Sequence, residues 1–381
     1  MRIWVGAILT GMLATGAHAA PPKLETLPEG VPAGYVKIAE SMHGRHSSAN
    51  ALASVLNGKA SLDDDLPTLF QWPGIYVEAE FGGPEILVRF DNTTDAFTIL
   101  IDDEAAAKIV KPGDKLYRLS GLAKGWHHIR IEKNNESQDT TGNFSDMWVG
   151  PKEDFRWSVP RPRQIEFIGD SYTVGYGNTS SKQQCTKDEI WATTDTQQAF
   201  GPLTAKHYNA DYQINAYSGR GIVRNYDGFI GDPLPALYPY ALFDDKTEYN
   251  DPSWQPQIIM IALGGNDFST PVHAGEKWAT QEDLRADYIT SYVTFVKTLR
   301  ARHPNASFIL ADYGEPEIIS DIAEVIKRLN ADSETRVAPF SAGSGFELTA
   351  CDYHLNTADD KRISATLIAY LDAHPELWQG K

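Results

Sequence analysis

The first part of the chain alternates between apolar and polar positions with a period of two. In IYVEAEF, Ile75, Val77, Ala79 and Phe81 share one face and the residues between them share the other. The same alternation recurs in FTILID, KLYRLSGL and HHIRIEK, at residues 97–102, 115–122 and 127–133, and DNTTD, KPGD and KNNES supply turns. Short alternating strands separated by such turns predict an antiparallel β-sandwich over residues 35–155.

The second part has a different rhythm, in which apolar strands alternate with helical stretches. PRPR at residues 160–163 marks the joint between the two parts. The predicted strands are QIEFI, DYQINAY, QIIMIAL and SFILADY, at residues 164–168, 211–217, 257–263 and 307–313. Apolar residues at helical spacing predict helices over residues 281–302 and 316–329 and after Asn356. This alternation predicts an α/β domain over residues 163–381, with a parallel sheet covered by helices on both faces.

The N-terminal segment has the form of a secretory signal. It reads MRIWVGAILTGMLATGAHA and contains one arginine, an apolar stretch and the triplet Ala17-His18-Ala19. The apolar stretch is too short to favour a membrane span, and the triplet has the small-x-small form of a cleavage site. We therefore expect residues 1–19 to be removed and the remainder to be secreted or periplasmic, without insertion into the membrane.

The overall charge of the chain narrows the choice of partner. The 381 residues carry a formal net charge of −17, while 42% hydrophobic and 22% charged residues are typical of a soluble globular protein. Nucleic acids and anionic lipids attract clusters of lysine and arginine, so the acidic balance argues against both as partners. A neutral substrate fits such a surface better. The sequence carries neither metal-ligand spacing nor a phosphate-binding signature, and we expect no cofactor.

The chain contains two cysteines, Cys185 and Cys351. In an exported protein such a pair favours a disulfide over a metal site. The bond would tie the segment just after GDSYTVGYGN to a segment near the C-terminus.

Small and polar residues follow directly after the predicted strands of the second part. GDS (169–171) follows the first strand, SGRG (218–221) the second, and GGND (264–267) the third. ACDYHLN, which carries Asp352 and His354, precedes the last helix. Because ligands bind beyond the C-terminal ends of the strands in sheets of this type, we expect these segments to meet in one cleft.

These residue types can together carry out acyl transfer. The hydroxyl of Ser171 needs a base, and a histidine such as His354, with an unperturbed pKa of about 6.5, suits that task. A carboxylate such as Asp352 can orient the imidazole. Glycines leave a backbone N–H uncovered and an asparagine side chain adds an NH2 group, and such donors can hold the oxygen that becomes negative. Each residue alone has a simpler interpretation, as a helix cap, a turn or one histidine among ten. Their occurrence in order at strand ends favours catalysis.

The four segments resemble the conserved blocks of the SGNH (GDSL-type) hydrolase superfamily, which are GDS, a later glycine, GxND and a C-terminal Asp/His motif. In that superfamily the serine of the first block is the nucleophile. Its N–H, the glycine N–H and the asparagine side chain form the oxyanion hole. The resemblance assigns these roles to Ser171, Gly219 and Asn266.

The last block has an unusual spacing. Asp352 lies two residues before His354, and Cys351 stands where the superfamily usually has its aspartate. The spacing is similar to that of carbohydrate esterase family 2, whose acetylesterases join an N-terminal jelly-roll sandwich to a C-terminal SGNH domain. The similarity extends to WPGIYVEAEF, GDSYTVGYG and AYSGRGIVRNYDG and covers nearly the whole mature chain. Within that family the aspartate is not universal, and in some members a backbone carbonyl supports the histidine.

The resemblance implies an exported serine esterase that removes O-acetyl groups from plant cell-wall polysaccharides such as xylan or glucomannan. It implies a Ser-His-Asp mechanism with an acyl-enzyme and without a cofactor. Two alternatives stay open at this point. One is a lipase, lysophospholipase or thioesterase of the same superfamily, and the other is a non-catalytic carbohydrate-binding protein. The spacing indicates neither the polysaccharide nor an oligomeric state.

Overall fold

The structure, a computed structural model, describes residues 22–38, 56–57, 60–61, 69–138 and 140–379. The predicted signal segment, residues 1–19, lies outside the described residues. The first part of the chain forms two antiparallel sheets, and the second part forms a parallel sheet flanked by helices. The fold class predicted from the sequence is therefore confirmed. Among the described residues, no helix combines the length and apolarity needed to cross a bilayer.

The strands of the first part are β1 (Lys23–Thr26), β2 (Val36–Lys37), β3 (Leu56–Asn57), β4 (Ala60–Ser61), β5 (Leu69–Phe70), β6 (Tyr76–Gly82), β7 (Glu85–Asn92), β8 (Ala96–Ile101), β9 (Glu104–Val110), β10 (Gly113–Ser120), β11 (Trp126–Lys133), β12 (Gly142–Val149) and β13 (Phe155–Trp157). One sheet has the order β1-β10-β7-β12-β5-β4, with β2 beside β12. The other has the order β13-β6-β11-β8-β9, with β3 beside β6. The first sheet includes β1, which precedes the predicted start of the domain and pairs along its length with β10.

The alternation in β6 separates two different buried surfaces. Val77, Ala79 and Phe81 belong to the core between the two sheets, as the pattern predicts. The opposite face of β6 is also buried, because it packs against the second part of the chain. There the ring of Tyr76 lies 4.7 Å from the ring of Tyr212, measured between centroids. The sandwich therefore serves as a wall of the second domain.

The second part is built on five strands, β14 (Gln164–Gly169), β15 (Asp211–Ala216), β16 (Ile258–Ala262), β17 (Ser307–Asp312) and β18 (Val337–Ser341). They pair in the order β15-β14-β16-β17-β18, and every neighbouring pair is parallel. The first four confirm the predicted strands. The pattern did not predict β18, an edge strand that contains Pro339 and exposes part of its length.

The helices are α1 (Ser171–Val174), α2 (Lys187–Thr193), α3 (Phe200–His207), α4 (Leu234–Leu237), α5 (Gln281–Arg302), α6 (Pro316–Ala331) and α7 (Thr357–Ala373). The three long ones, α5, α6 and α7, confirm the predicted helices. Reciprocal capping boxes begin α5 and α7, through Thr280 with Asp283 and Asn356 with Asp359. Pro316 begins α6 at a position where a missing N–H costs nothing.

Buried charges join the sandwich to the parallel sheet. The guanidinium of Arg130, on β11, donates to Glu78 at 2.5 Å and to the hydroxyl of Tyr212 at 2.7 Å. Arg161, in the joint between the domains, donates to Glu78 at 2.6 Å and to Asp211 at 2.8 Å. Since buried ion pairs need well-defined partners, this network fixes one domain against the other.

Candidate active site

Ser171 stands at the C-terminal end of β14, as the first residue of the single-turn helix α1. Asp170 caps this helix, since its Oδ1 accepts the N–H of Tyr172 at 3.1 Å. The turn is too crowded for a side chain at Gly169, where a Cβ would lie 2.0 Å from the hydroxyl oxygen of Thr173. The strand, the cap and the glycine together hold the serine at the sheet edge where we predicted a nucleophile.

The structure brings His354 to Ser171 across 183 residues of sequence. The imidazole Nε2 lies 2.9 Å from the serine Oγ, within hydrogen-bonding distance. His354 follows a short 3₁₀ turn, Cys351–Tyr353, which leads into α7. This is the distance that acyl transfer requires between a nucleophile and its base.

The other imidazole nitrogen of His354 faces the backbone. Nδ1 lies 3.0 Å from the carbonyl oxygen of Cys351 and 3.1 Å from that of Asp352. A carbonyl oxygen can only accept a hydrogen bond, so Nδ1 carries the proton of the neutral imidazole. Nε2 is then left with a lone pair, which can accept the proton of Ser171.

The carboxylate of Asp352 does not take the place expected from the sequence. It accepts a hydrogen bond from the hydroxyl of Tyr176 at 3.0 Å, while the backbone of the same aspartate contacts His354. The reason is the left-handed conformation of Asp352, with φ of 50°, inside the 3₁₀ turn. This conformation directs the carbonyl to the histidine and leaves the side chain for Tyr176.

Tyr176 is a member of the site that the sequence analysis did not identify. Its ring lies over the imidazole of His354, with 4.4 Å between centroids and 36° between planes. It belongs to the quoted segment GDSYTVGYGN, so its proximity to Ser171 was visible, but its contact with a residue near the C-terminus was not.

Burial determines the protonation of His354. Removal from water lowers the pKa of the imidazole, and the hydrogen bonds to the Asp352 and Cys351 carbonyls offset only part of that effect. The pKa stays below the ordinary value of about 6.5. His354 is therefore neutral at pH 7, as a general base must be.

Two of the predicted oxyanion donors are the backbone N–H groups of Ser171 and Gly219. Among the described residues, neither the N–H of Ser171 nor that of Gly219 donates to a protein acceptor. Gly219 has φ of 81°, a left-handed conformation that favours glycine, and its carbonyl accepts the N–H of Tyr226 at 2.8 Å.

The side-chain amide of Asn266 reaches the same cleft but is already engaged. Its Nδ2 donates to Oδ2 of Asp170 at 3.1 Å and to the carbonyl of Arg220 at 2.9 Å. These bonds tie Asn266 to Asp170, at the end of β14, and to the loop that carries Gly219. Donation from Asn266 to a negative oxygen stays a prediction.

Two buried aspartates brace the loops of the site. Burial raises the pKa of Asp170 to about 7 and that of Asp267 to about 6. The carboxylate of Asp267 accepts three backbone N–H groups, from residues 222, 223 and 224. Asp267 thereby folds the loop after Gly219 over the end of β16.

The cleft has a volume of about 470 Å³ and contains Ser171 and His354 in its wall. The side chains of Asp312, Glu315 and Glu317 also line it. Several aromatic residues also line the cleft, and two of them, Tyr226 and Tyr353, expose 57% and 59% of their surface. The cleft thus combines carboxylates with exposed aromatic rings, a surface better suited to a neutral polar ligand than to an anion.

The predicted disulfide between Cys185 and Cys351 is present. It ties the loop before α2 to the turn whose carbonyls contact His354. Gly177 packs directly against this bond, since a Cβ there would lie 2.5 Å from the Cβ of Cys351. Metal ligation by these cysteines is excluded by their bonding to each other. Elsewhere in the described part of the chain, no three His, Cys, Asp or Glu side chains converge as metal ligands would.

Comparison with known families divides the chain at the same place as the fold. Residues 56–156 match the family described as carbohydrate esterase 2 N-terminal, and residues 167–361 match the GDSL-like lipase/acylhydrolase family.

Among curated proteins, the chain is 42% identical over 312 residues to an acetylxylan esterase/glucomannan deacetylase of Cellvibrio japonicus, covering 81% of this chain and 86% of that protein. It is 27% identical over 327 residues to the cellulase/esterase CelE of Acetivibrio thermocellus, covering 82% of this chain but 38% of that longer protein.

Solved structures of carbohydrate esterases are also similar to this chain. A carbohydrate esterase described as having divergent catalytic and non-catalytic binding functions superposes with a TM-score of 0.79 at 38% identity, covering 85% of this chain and 98% of that chain. A family two carbohydrate esterase from Clostridium thermocellum, in complex with cellohexaose, shares the fold with a TM-score of 0.74 at 24% identity, covering 85% of this chain and 99% of that chain. The chain belongs to carbohydrate esterase family 2 and is a carboxylic ester hydrolase.

Proposed function

We propose that this protein removes O-acetyl groups from plant cell-wall polysaccharides such as xylan or glucomannan, with Ser171 as nucleophile and His354 as base. The observation that carries the proposal is the 2.9 Å contact between the imidazole Nε2 and the serine Oγ. The 42% identity to an acetylxylan esterase/glucomannan deacetylase supports the choice of an acetylated polysaccharide as the substrate.

In the first half of the reaction, the Oγ of Ser171 attacks the acetyl carbonyl carbon while its proton passes to Nε2 of His354. The carbonyl oxygen becomes negative and accepts the N–H groups of Ser171 and Gly219, with Asn266 as a further donor. The bond between the carbonyl carbon and the sugar oxygen then breaks. The proton on Nε2 passes to that sugar oxygen, which leaves as a hydroxyl, and an acetyl-serine remains.

In the second half, a water molecule gives its proton to Nε2 and attacks the acetyl-serine. Return of that proton to the serine Oγ releases acetate and restores the enzyme. During both halves the imidazole becomes positively charged for a time. The carbonyl oxygens of Cys351 and Asp352 face its Nδ1–H and stabilise that charge as neutral dipoles.

The experiment that tests this proposal measures acetate release from acetylated xylan and acetylated glucomannan. Ser171→Ala removes the nucleophile, and we expect the rate to fall by at least about 10³-fold. Ser181→Ala, which alters an exposed serine in the loop after α1, is the matched control and keeps the wild-type rate. Undiminished release by Ser171→Ala would overturn the assignment of the nucleophile.

A series of p-nitrophenyl esters separates this proposal from a lipase or thioesterase. An acetylesterase hydrolyses the acetate fastest, and its rate falls as the acyl chain lengthens. A rate that rises from acetate to octanoate would instead indicate a lipase. Failure of the wild-type protein to hydrolyse any ester, with retained binding to polysaccharide, would favour a non-catalytic binding protein.

We further propose that the protein is exported and loses residues 1–19. The support is the form of the N-terminal segment, which combines one arginine, an apolar stretch and Ala17-His18-Ala19. Mass spectrometry of the protein recovered from the periplasm or medium of a bacterial host measures its N-terminus directly. A mature chain that still begins at Met1 would contradict the proposal.

A further inference from the structure

A carboxylate from the sandwich domain reaches the loop that carries Gly219. Glu136 lies between β11 and β12, in the segment KNNES. Its Oε1 accepts the backbone N–H of Ser218 at 2.8 Å. Ser218 directly precedes Gly219, so the contact from the other domain ends one residue before a proposed oxyanion donor.

The segment around Glu136 is rigidly held on the sandwich side. Lys133 is fully buried, and its ammonium donates to the carbonyl of Asn135 at 2.8 Å. The carbonyl of Asn134 accepts the N–H of Thr196, in the other domain, at 2.8 Å. After Glu136, the hydroxyl of Ser137 donates to the carbonyl of Gln71 at 3.4 Å, so the carboxylate of Glu136 is presented from a backbone held on both sides.

The peptide unit between Ser218 and Gly219 lies between two peptide units that are held by hydrogen bonds. Glu136 holds the N–H of Ser218 before it, and the N–H of Tyr226 holds the carbonyl of Gly219 after it, at 2.8 Å. The N–H of Gly219 lies in the planar peptide unit between these two bonds, and its direction is set by ψ of Ser218 and φ of Gly219. Holding the peptide units on both sides restricts those two angles and, with them, that direction. Because Gly219 has φ of 81° and no side chain to restrict it, that direction depends on such external contacts.

The charge of Glu136 also acts on Tyr176, the residue that contacts His354. The pKa of Tyr176, whose ring lies over His354, is raised by burial, by the Asp352 carboxylate and also by the charge of Glu136. Glu136 itself is half-buried; burial raises the pKa of its carboxyl group, and the N–H of Ser218 partly offsets that rise.

We propose that Glu136 is a positioning residue of the oxyanion hole, which orients the N–H of Gly219 by holding Ser218. The inference rests on the proposed esterase function, in which Gly219 is a donor to the negative oxygen. Through Glu136 the sandwich domain would contribute to the chemical step, in addition to packing against the second domain.

Two substitutions at Glu136 and one control test the inference. Glu136→Ala removes the acceptor, and we expect kcat on p-nitrophenyl acetate to fall by about 10- to 100-fold with KM unchanged, because a donor that is only misplaced weakens transition-state binding alone. Glu136→Gln keeps an acceptor oxygen and restores kcat to within about threefold of wild type. Lys206→Met removes an interdomain ion pair to Glu132, at 2.7 Å, without contact with the Ser218 loop, and keeps the wild-type kcat.

A boronic acid supplies a second measurement that does not depend on the sugar. Boron forms a bond with the Oγ of Ser171, whose proton passes to His354, and the tetrahedral adduct places an oxygen in the oxyanion hole. We expect Glu136→Ala to weaken inhibition by methylboronic acid by a factor similar to the loss in kcat, and Glu136→Gln to restore it.

Several outcomes would overturn the inference. These are an unchanged kcat in Glu136→Ala, a loss that Glu136→Gln does not restore, or an equal loss in Lys206→Met. If Glu136→Ala does not fold, a low kcat in folded Glu136→Gln still contradicts the inference and a near-normal one supports it. Failure of the proposed function is recognised separately, because the wild-type protein would then hydrolyse no acetyl ester or Ser171→Ala would remain active.

Discussion

His354 contacts Ser171, the proposed nucleophile, through Nε2 and backbone carbonyls through Nδ1. The backbone of the turn Cys351–Tyr353 therefore performs the orienting role that a carboxylate has in many serine hydrolases. Neutral carbonyl dipoles fix the tautomer as well as a carboxylate does, but they stabilise a positive imidazolium less. This difference leads to two predictions about single residues.

The first prediction concerns Asp352→Asn. Asparagine tolerates the left-handed conformation of this position and can still accept the hydroxyl of Tyr176. Because the carbonyl of residue 352 remains, we expect kcat/KM on p-nitrophenyl acetate to fall less than about tenfold, compared with about 10⁴-fold where a carboxylate holds the imidazole. His354→Ala serves as the reference for complete loss of the base. A loss in Asp352→Asn as large as in His354→Ala would contradict the carbonyl assignment.

The second prediction concerns pH. Only neutral His354 can take the proton of Ser171, so activity rises with pH through the pKa of the imidazole. Burial lowers that pKa, and the acidic limb of kcat/KM should therefore have its midpoint below about 6.5. Since burial raises the pKa of Asp170 to about 7, Asp170→Asn is needed to assign the limb. A midpoint above 6.5 that persists in Asp170→Asn would contradict the prediction.

The position of Ser171 at a strand end could be predicted from sequence, because parallel strands place their following residues at one edge. His354 follows a turn before α7, and its pairing with Ser171 was expected from the resemblance to the SGNH motif. The role of the Asp352 backbone could not be predicted, since a sequence does not show whether a residue turns its carbonyl or its side chain toward a neighbour. Glu136 was missed for a related reason. KNNES has the composition of a solvated turn, and only the packing of the two domains brings its carboxylate to Ser218.

The turn that carries the histidine is an element with unusual backbone geometry. Asp352 and Tyr353 are both left-handed, with φ of 50° and 60°, a conformation that costs free energy in residues with a side chain. The disulfide to Cys185 and a bond from the N–H of Asp352 to the carbonyl of Gln183, at 2.7 Å, hold the turn from outside. The loop before α2 thus acts as a clamp on the position of His354.

The third prediction tests this clamp with the double variant Cys185→Ser, Cys351→Ser. Removal of the bond should lower the free energy of unfolding by about 2–5 kcal/mol. It should also lower kcat severalfold at temperatures where the protein remains folded, because the carbonyls facing Nδ1 are less well held. Circular dichroism gives the folded fraction, and p-nitrophenyl acetate hydrolysis gives kcat per folded molecule. A wild-type kcat per folded molecule would show that the clamp serves stability alone.

At the scale of elements, the long amphipathic helices and the most apolar strands could be predicted, because their patterns extend over several turns or are continuous. The strand β7 was not identified, because its first half is buried on both faces. Ile86 and Val88 enter the core between the sheets, while Leu87 packs on the outer face with Leu116 and Trp148. Three consecutive apolar residues therefore replace the apolar–polar alternation by which a half-exposed strand is recognised.

The whole molecule is joined through buried charges and aromatic rings at the domain contact. Arg130 is enclosed by the rings of Tyr76 and Tyr212, and its guanidinium pairs with Glu78 and Glu132. An apolar cluster also continues from the sandwich into the second domain. We therefore expect the two domains to unfold together.

The fourth prediction compares two arginines of the sandwich. Arg130→Met takes one of two cationic partners from each of the buried carboxylates Glu78 and Glu132, which keep Arg161 and Lys206. We expect a loss of about 3 kcal/mol in the free energy of unfolding, the lower end of the range for breaking a buried pair. Arg89→Met breaks a pair with Asp114 in which both side chains are about half exposed, and the expected loss is much smaller than that of Arg130→Met. Urea denaturation followed by tryptophan fluorescence and by circular dichroism measures both variants. Equal losses, or separate transitions for the two domains, would contradict this account.

The ion-paired joint has a practical meaning for enzyme engineering. Arg161, within the stretch that connects the domains, donates to Glu78 of the sandwich and to Asp211 of the second domain. This stretch therefore holds the two domains in one arrangement and does not act as a hinge. A fusion that transplants only the catalytic half would expose Asp211 and Tyr212 to solvent and would leave Ser218 without its carboxylate. Anyone who moves this activity onto another scaffold should carry both halves as one cassette.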